Sequence, residues 1–203
     1  MTFAVRSLVL VLGVLLIAPT VGRAAGRDKA PPALSRIVAK LKGTRPLRGY
    51  NVLWVSRLGP GDVALSEAFR SAGLRPLRTV VVEAEGQAGP NHRGVGDHLV
   101  ERGMDVRTGP RLGTAIVERW RADALADAGL RDIVGHHRRD GRPILVVDHG
   151  GTVAKLLAQP KYAAVRSAVT IIDPAATSPA AGHKDASLVR ELIRAAGAEP
   201  PPR

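Results

Sequence analysis

Residues 143–151 read Pro-Ile-Leu-Val-Val-Asp-His-Gly-Gly, and this stretch decides the fold. Its four consecutive apolar residues, Ile144–Val147, follow a proline and precede a polar pair, which is the pattern of a short strand buried on both faces. The two glycines let the backbone turn sharply directly after the strand. A helical pattern, Thr152–Ala158, follows at once. Strand, glycine turn and helix together form the repeating unit of a parallel α/β sheet.

The same alternation of patterns extends in both directions from this stretch. Further apolar strands are predicted at Asn51–Ser56, Thr79–Val82, Met104–Val106 and Ala168–Ile172. Further helices are predicted at Leu34–Leu41, from a cap at Asp62 to Gly73, at His92–Arg102, at Thr114–His137 with a break near Gly129, and at Ser187–Ala196. The alternation predicts a single three-layer α/β domain with a mostly parallel, Rossmann-like sheet over residues 44–197.

The first residues have the three parts of an export signal. Arg6 precedes the apolar run Leu8–Ala18, and small residues around Ala24 offer a cleavage site. The run has about 11 residues, whereas a membrane-spanning helix needs roughly 20, so cleavage is favoured over a retained anchor. We therefore predict a signal peptide over 1–24 and export to the periplasm or beyond the cell. Residues 25–43 are then a lead-in with a first helix, and residues 198–203 are a disordered tail.

Composition limits the chemistry. The chain has no cysteine, which excludes disulfides, thiolate nucleophiles and zinc–thiolate sites. The formal net charge is +12, but acids are interspersed among the arginines, and the densest basic patch, His136–Arg142, lacks aromatic residues on which bases could stack. A solvated basic surface is favoured and specific nucleic-acid binding is not expected. A basic surface that binds an anionic polymer remains an alternative.

Ligands of parallel α/β sheets bind beyond the carboxyl ends of the strands. The ligand-binding candidates at those positions are Arg57, Glu83, Asp148, His149, Gly150, Gly151 and Asp173. Asp148 and His149 are also candidates for acid–base catalysis, since both can exchange protons. In the alternative interpretation, Asp148 only caps backbone amides and the glycines only turn the chain.

Residues 59–64 read Gly-Pro-Gly-Asp-Val-Ala and match the G-x-G-x-x-A dinucleotide fingerprint. Gly59 and Gly61 would approach a pyrophosphate, and Glu83, 19 residues after Ala64, would bind a ribose. This hypothesis implies NAD as cofactor and a dinucleotide-dependent enzyme. Pro60 removes one amide from the turn, so a plain turn capped by Asp62 is favoured, with no cofactor. The histidines lack metal-ligand spacing, and no metal is predicted.

Four stretches together resemble the S-adenosylhomocysteine hydrolase family: Ile144–Gly151, Ala168–Thr170, Leu65–Gly73 and Gly103–Val106. In that family an apolar strand ends in Asp-Gly-Gly, a later strand carries Gly-Val-Thr-Glu-Glu-Thr-Thr, and a helix has the pattern Leu-x-Glu-x-Leu-x-x-x-Gly. The resemblance covers about residues 44–195 and corresponds to the substrate-binding portion of the family, without its NAD-binding domain.

The departures from the family bear on activity. His149 stands in place of the catalytic aspartate, Ile172 in place of a glutamate, Arg57 in place of a histidine, Arg190 in place of a lysine and Arg194 in place of an aspartate. Arginine stays charged and isoleucine carries no exchangeable proton, so the arginine and isoleucine positions cannot shuttle protons. The resemblance therefore implies an exported, non-catalytic domain that binds a small nucleoside-like ligand or a protein partner.

Overall fold

Five parallel strands form one sheet in the spatial order β3-β2-β1-β4-β5. This computed structural model describes residues 45–84, 92–109 and 114–173, with the isolated positions 39 and 43. The strands are β1 (Asn51–Ser56), β2 (Thr79–Glu83), β3 (Asp105–Arg107), β4 (Ile144–Asp148) and β5 (Val169–Ile172). The helices are α1 (Pro60–Ser71), α2 (His92–Glu101), α3 (Ala115–Asp140) and α4 (Thr152–Leu157). Short 3₁₀ segments occupy Pro46–Gly49, Pro76–Arg78 and Pro160–Ala168.

The predicted three-layer, Rossmann-like α/β fold is confirmed. Side chains alternate between the two faces of the sheet, and helices cover both faces. Trp54 belongs to the face packed against α1 and α2, where its ring meets that of Phe69 edge-on at a centroid distance of 5.1 Å. Leu53 belongs to the face packed against α3 and α4. Because both faces are covered, the central strands β1, β2 and β4 are buried throughout and contain mainly apolar residues.

The strand order reverses between β1 and β4. From β1 the chain proceeds to β2 and β3 on one side, and after β4 it proceeds to β5 on the other. Val55 of β1 lies opposite Asp148 of β4 in the parallel register, and Val147 lies opposite Ile172 of β5. The carboxyl ends of β1 and β4 therefore form the topological switch point, where sheets of this type bind their ligands.

The predicted break in the long helix near Gly129 is wrong. Helix α3 is continuous from Ala115 to Asp140, and Gly129 is buried in the middle of it. A Cβ atom at Gly129 would lie 2.8 Å from Cγ2 of Val82 and 3.0 Å from Cδ1 of Leu53. The glycine therefore lets the helix approach the sheet closely. The packing of helix against sheet offsets the low helix propensity of glycine.

Several sequence predictions lie outside the described residues. These are the signal peptide over 1–24, nearly all of the lead-in over 25–43, the helix at Ser187–Ala196, the family positions Arg190 and Arg194, and the tail over 198–203. Within the ranges that the structure describes, no helix is both long enough and apolar enough to cross a membrane.

Candidate functional site

Asp148 is the central residue of the switch point. Its side chain is fully buried at the end of β4, and Oδ2 accepts a hydrogen bond of 2.9 Å from the backbone N–H of Ala154, in the first turn of α4. The second oxygen, Oδ1, is also buried and has no hydrogen-bond donor among the described residues. An unmatched buried acceptor costs about 1–3 kcal/mol, and more if it is charged. Asp148 thus holds the helix with one oxygen and offers the other.

The double glycine after Asp148 is required by its backbone conformation. Gly150 has φ 98° and Gly151 has φ 72°, both in the left-handed region where a side chain is strained. A Cβ atom at either position would meet nothing within 4 Å. Close packing does not explain these glycines, and the space beside the turn is open. His149, between Asp148 and the glycines, is half-buried.

The turn after β1 is closed by Asp62. Its Oδ2 accepts 2.6 Å from the hydroxyl of Ser56 and 2.7 Å from the N–H of Gly59. The Ser56 hydroxyl oxygen in turn accepts from the N–H of Leu58, whose side chain is fully buried and whose φ is 52°. Asp62 is therefore the third residue of α1, with Gly59 as the N-cap, and the prediction of Asp62 as the helix cap is wrong by three residues.

This geometry favours a plain turn over a pyrophosphate site at the dinucleotide fingerprint. A carboxylate already occupies the N–H of Gly59 at the positive end of α1, where the phosphates of a dinucleotide would sit. Gly59 has φ −87°, and Gly61 is not among the glycines of positive φ, so neither needs to be glycine for its conformation. A dinucleotide would have to displace Asp62 from this turn.

Glu83, the second half of that fingerprint, is held by a residue that the sequence did not single out. Nη1 of Arg121, on α3, lies 2.9 Å from Oε2 of Glu83, and both side chains are buried, at 7% and 2% exposure. Arg121 also pairs with Glu118 at 3.0 Å, one turn earlier in α3. No local pattern indicates this partner, because it is 38 residues distant and stands in a helix of mixed charges.

Of the predicted ligand-binding residues, four besides the glycines follow strands that are neighbours in the sheet. The exposed Arg57 follows β1, and the half-buried Asp173 follows β5. Asp148 is the last residue of β4, and His149 is the next residue. Asp148 lies in the middle of this group by sheet order. Glu83 is also at this edge, on the other side of β1, but its charge is engaged by Arg121.

The family position Ile172 belongs to the apolar core. Its side chain is 4% exposed and packs in the same cluster as Trp54 and Val147. The position is thus built into the interior. Within the described ranges, no group of three or more His, Asp or Glu side chains is placed to hold a metal ion.

The fold and the switch point define a Rossmann-like α/β domain with a buried carboxylate oxygen at the usual ligand edge of the sheet that has no donor among the described residues. No protein-family model matches the chain, and the search of curated proteins finds no match. The resemblance to the S-adenosylhomocysteine hydrolase family therefore stays a prediction.

Proposed function

We propose that this exported domain binds a small, donor-rich polar ligand of nucleoside-like chemistry at the switch point, without catalysing the reaction of the family that it resembles. The observation that carries the proposal is the buried Oδ1 of Asp148, which has no donor in the described part of the chain. The proposal places the ligand in the crevice between the end of β1 and the Asp148–Gly151 turn.

The chemistry of Asp148 selects the class of ligand. An ionised carboxylate accepts hydrogen bonds and donates none, so its free oxygen is matched by hydroxyl or amino groups. A bound hydroxyl would supply the missing donor and remove the cost of an unmatched buried acceptor. An anionic group placed there would add a second negative charge instead. Neutral ligands with several hydroxyl groups, such as a ribose, fit these requirements.

The absence of catalysis in this proposal rests on the residues around Asp148. Arginine, the residue type at position 57, is a poor proton carrier, and Ile172 is an interior apolar residue. Asp148 itself is committed through Oδ2 to the first turn of α4. General acid–base catalysis needs a group free to gain and lose a proton beside the reacting atoms. Arg57 and Ile172 cannot do this, which supports binding rather than the reaction of the family that the chain resembles.

The test is calorimetric titration of the full chain with adenosine and with S-adenosylhomocysteine. We expect 1:1 binding of at least one of them, weakened about tenfold or more by Asp148→Asn, because a charge-assisted hydrogen bond is lost. The matched control is Asp123→Asn, which makes the same charge change at an exposed position of α3.

Two results would contradict the proposal. Binding that is absent in the parent protein, or equally weakened by both variants, would remove Asp148 as the ligand acceptor. Release of adenosine from the thioether by the purified protein would show that the domain is an enzyme after all.

A further inference from the structure

A cavity lies at the amino edge of the sheet, near the residues that precede β1 and those that follow α1. It has a volume of about 560 Å³. The described residues that line it are Gly43, Arg45, Arg48, Arg70, Ser71, Gly73, Leu74 and Arg75. We call this cavity the arginine basin. It has no residue in common with the switch point.

Within the described ranges, the charges of the four basin arginines are not balanced by neighbouring acids. In the described ranges, none of the four has an acidic partner, and all four are exposed. Other arginines are paired with acids: Arg78, Arg102, Arg107, Arg121, Arg131 and Arg142. Uncompensated positive charge is thus gathered around one concave surface.

The backbone beneath the basin is held in a costly conformation. Arg45 has φ 43° and ψ 52°, a left-handed conformation that is disfavoured for any side chain and again for a residue before proline. A Cβ atom at Gly73, itself at φ 93°, would lie 2.7 Å from Cβ of Arg45. The N–H of Leu47 donates 2.9 Å to the carbonyl of Ala72 and ties the two segments together. Strain of this kind persists where the surroundings enforce it, and it concentrates at functional sites.

The core fixes the positions from which the arginines extend. Leu47, in the segment before β1, and Leu74, in the segment after α1, are buried at 2% and 4% exposure. The carbonyl of Arg48 accepts 3.0 Å from Nη1 of Arg142, which anchors the 3₁₀ segment from outside. The stems of the four side chains therefore start from a rigid frame, although the guanidinium groups themselves are in solvent.

We infer that the arginine basin binds a compact anion that carries two or more phosphate groups. Guanidinium groups match phosphate oxygens with pairs of parallel hydrogen bonds, and four of them supply four positive charges. The carbonyl end of α1 opposes an anion with only about half a negative charge, which four arginines outweigh. A single carboxylate would leave most of the repulsion among the arginines in place. This inference does not depend on the function proposed for Asp148.

The test is titration of the full chain with inorganic pyrophosphate at low ionic strength. We expect 1:1 binding, weakened about tenfold or more in Arg70→Ala/Arg75→Ala, since two charge-assisted contacts are lost. The control Arg93→Ala/Arg138→Ala removes the same charge from exposed arginines outside the basin, neither of which has an acidic partner in the described chain. No binding to the parent protein, or an equal loss in both double variants, would overturn the inference.

Arg45→Gly separates loss of the site from loss of folding. Glycine adopts φ 43° without strain, so this variant should keep or raise the melting temperature while weakening pyrophosphate binding. Unchanged pyrophosphate affinity in Arg45→Gly would count against the site.

Competition identifies the source of the phosphate groups. A nucleoside triphosphate that displaces pyrophosphate would indicate a free phosphorylated small molecule. A phosphodiester oligomer that does so would indicate a polymer segment. Failure of both to displace pyrophosphate would restrict the site to small inorganic phosphate anions.

Discussion

The carboxyl edge of the sheet holds two buried acids, Glu83 and Asp148, whereas the amino edge holds the four exposed arginines of the basin. Each buried acid has a partner within the fold. Arg121 forms an ion pair with Glu83, and the N–H of Ala154 donates a hydrogen bond to one oxygen of Asp148. The arginines of the basin have no such acidic partners in the described chain, and water stabilises them. Burial makes a charge dependent on its neighbours. We therefore expect the loss of a charged group to lower stability more at the carboxyl edge than at the basin.

The largest effect should come from Arg121→Ala, which leaves Glu83 buried without its cation. We expect a loss of about 3–5 kcal/mol in the free energy of unfolding, measured by urea denaturation. The control is Arg131→Ala, on the same helix but near the amino edge, where a 65% exposed arginine pairs with Asp127. This exposed pair should contribute about 1 kcal/mol or less. Equal losses from the two variants would remove the contrast between the edges.

A smaller effect is expected from two glycines of similar conformation at opposite edges. Gly151, at the switch point, has φ 72°, and Gly141, at the end of α3, has φ 68°. Neither has a neighbour within 4 Å of its Cβ position, so alanine at each should cost about 1–2 kcal/mol through left-handed strain alone. Only Gly151→Ala should also weaken the binding of adenosine or S-adenosylhomocysteine. Thermal melting and calorimetry on the two variants separate these effects, and equal binding by both would contradict the proposed site.

The smallest effect concerns the acid stability of the amino edge. Burial tends to raise the pKa of Asp140, but hydrogen bonds from the N–H of Arg142 and from Asn51, with the charge of Arg78, outweigh it and hold the pKa below its ordinary value of 3.8. A lowered pKa gives stability that is present above pH 3.8 and lost as the pH falls through the pKa of the folded state. Asp140→Asn should therefore flatten the fall in melting temperature between about pH 4 and pH 2. An unchanged acid profile would show that Asp140 contributes nothing there.

The architecture could be predicted from the sequence because a strand that is buried on both faces is a run of mainly apolar residues. The runs Asn51–Ser56 and Ile144–Val147 are apolar almost throughout, and each was placed correctly as a strand. The order of the strands in the sheet cannot be read from such runs, since it depends on which helix covers which face. Gly129 was misjudged for a related reason, because its role is visible only once Val82 and Leu53 lie against it.

The candidate site was predicted in part. The carboxylate and two glycines that follow a buried strand predict the turn after β4, and its role as a ligand site stays a prediction. The partners of Asp62 and Glu83 could not be predicted from the sequence. Gly59 and Gly61 match the spacing of a phosphate-binding turn, yet the N–H of Gly59 donates to the carboxylate of Asp62 instead. Glu83 stands where a ribose-binding acid would, yet a distant arginine neutralises it. Spacing along the chain gives a residue's location but not its partner.

The chain contains two tryptophans, and the fold puts them in opposite environments. Trp54, against Phe69, is 1% exposed, while Trp120 on α3 is 76% exposed. Their indole rings therefore emit at different wavelengths, and a water-soluble quencher reaches only the second while the protein is folded. Intrinsic fluorescence consequently carries two separate signals, one from the interior and one from the surface, without any added label.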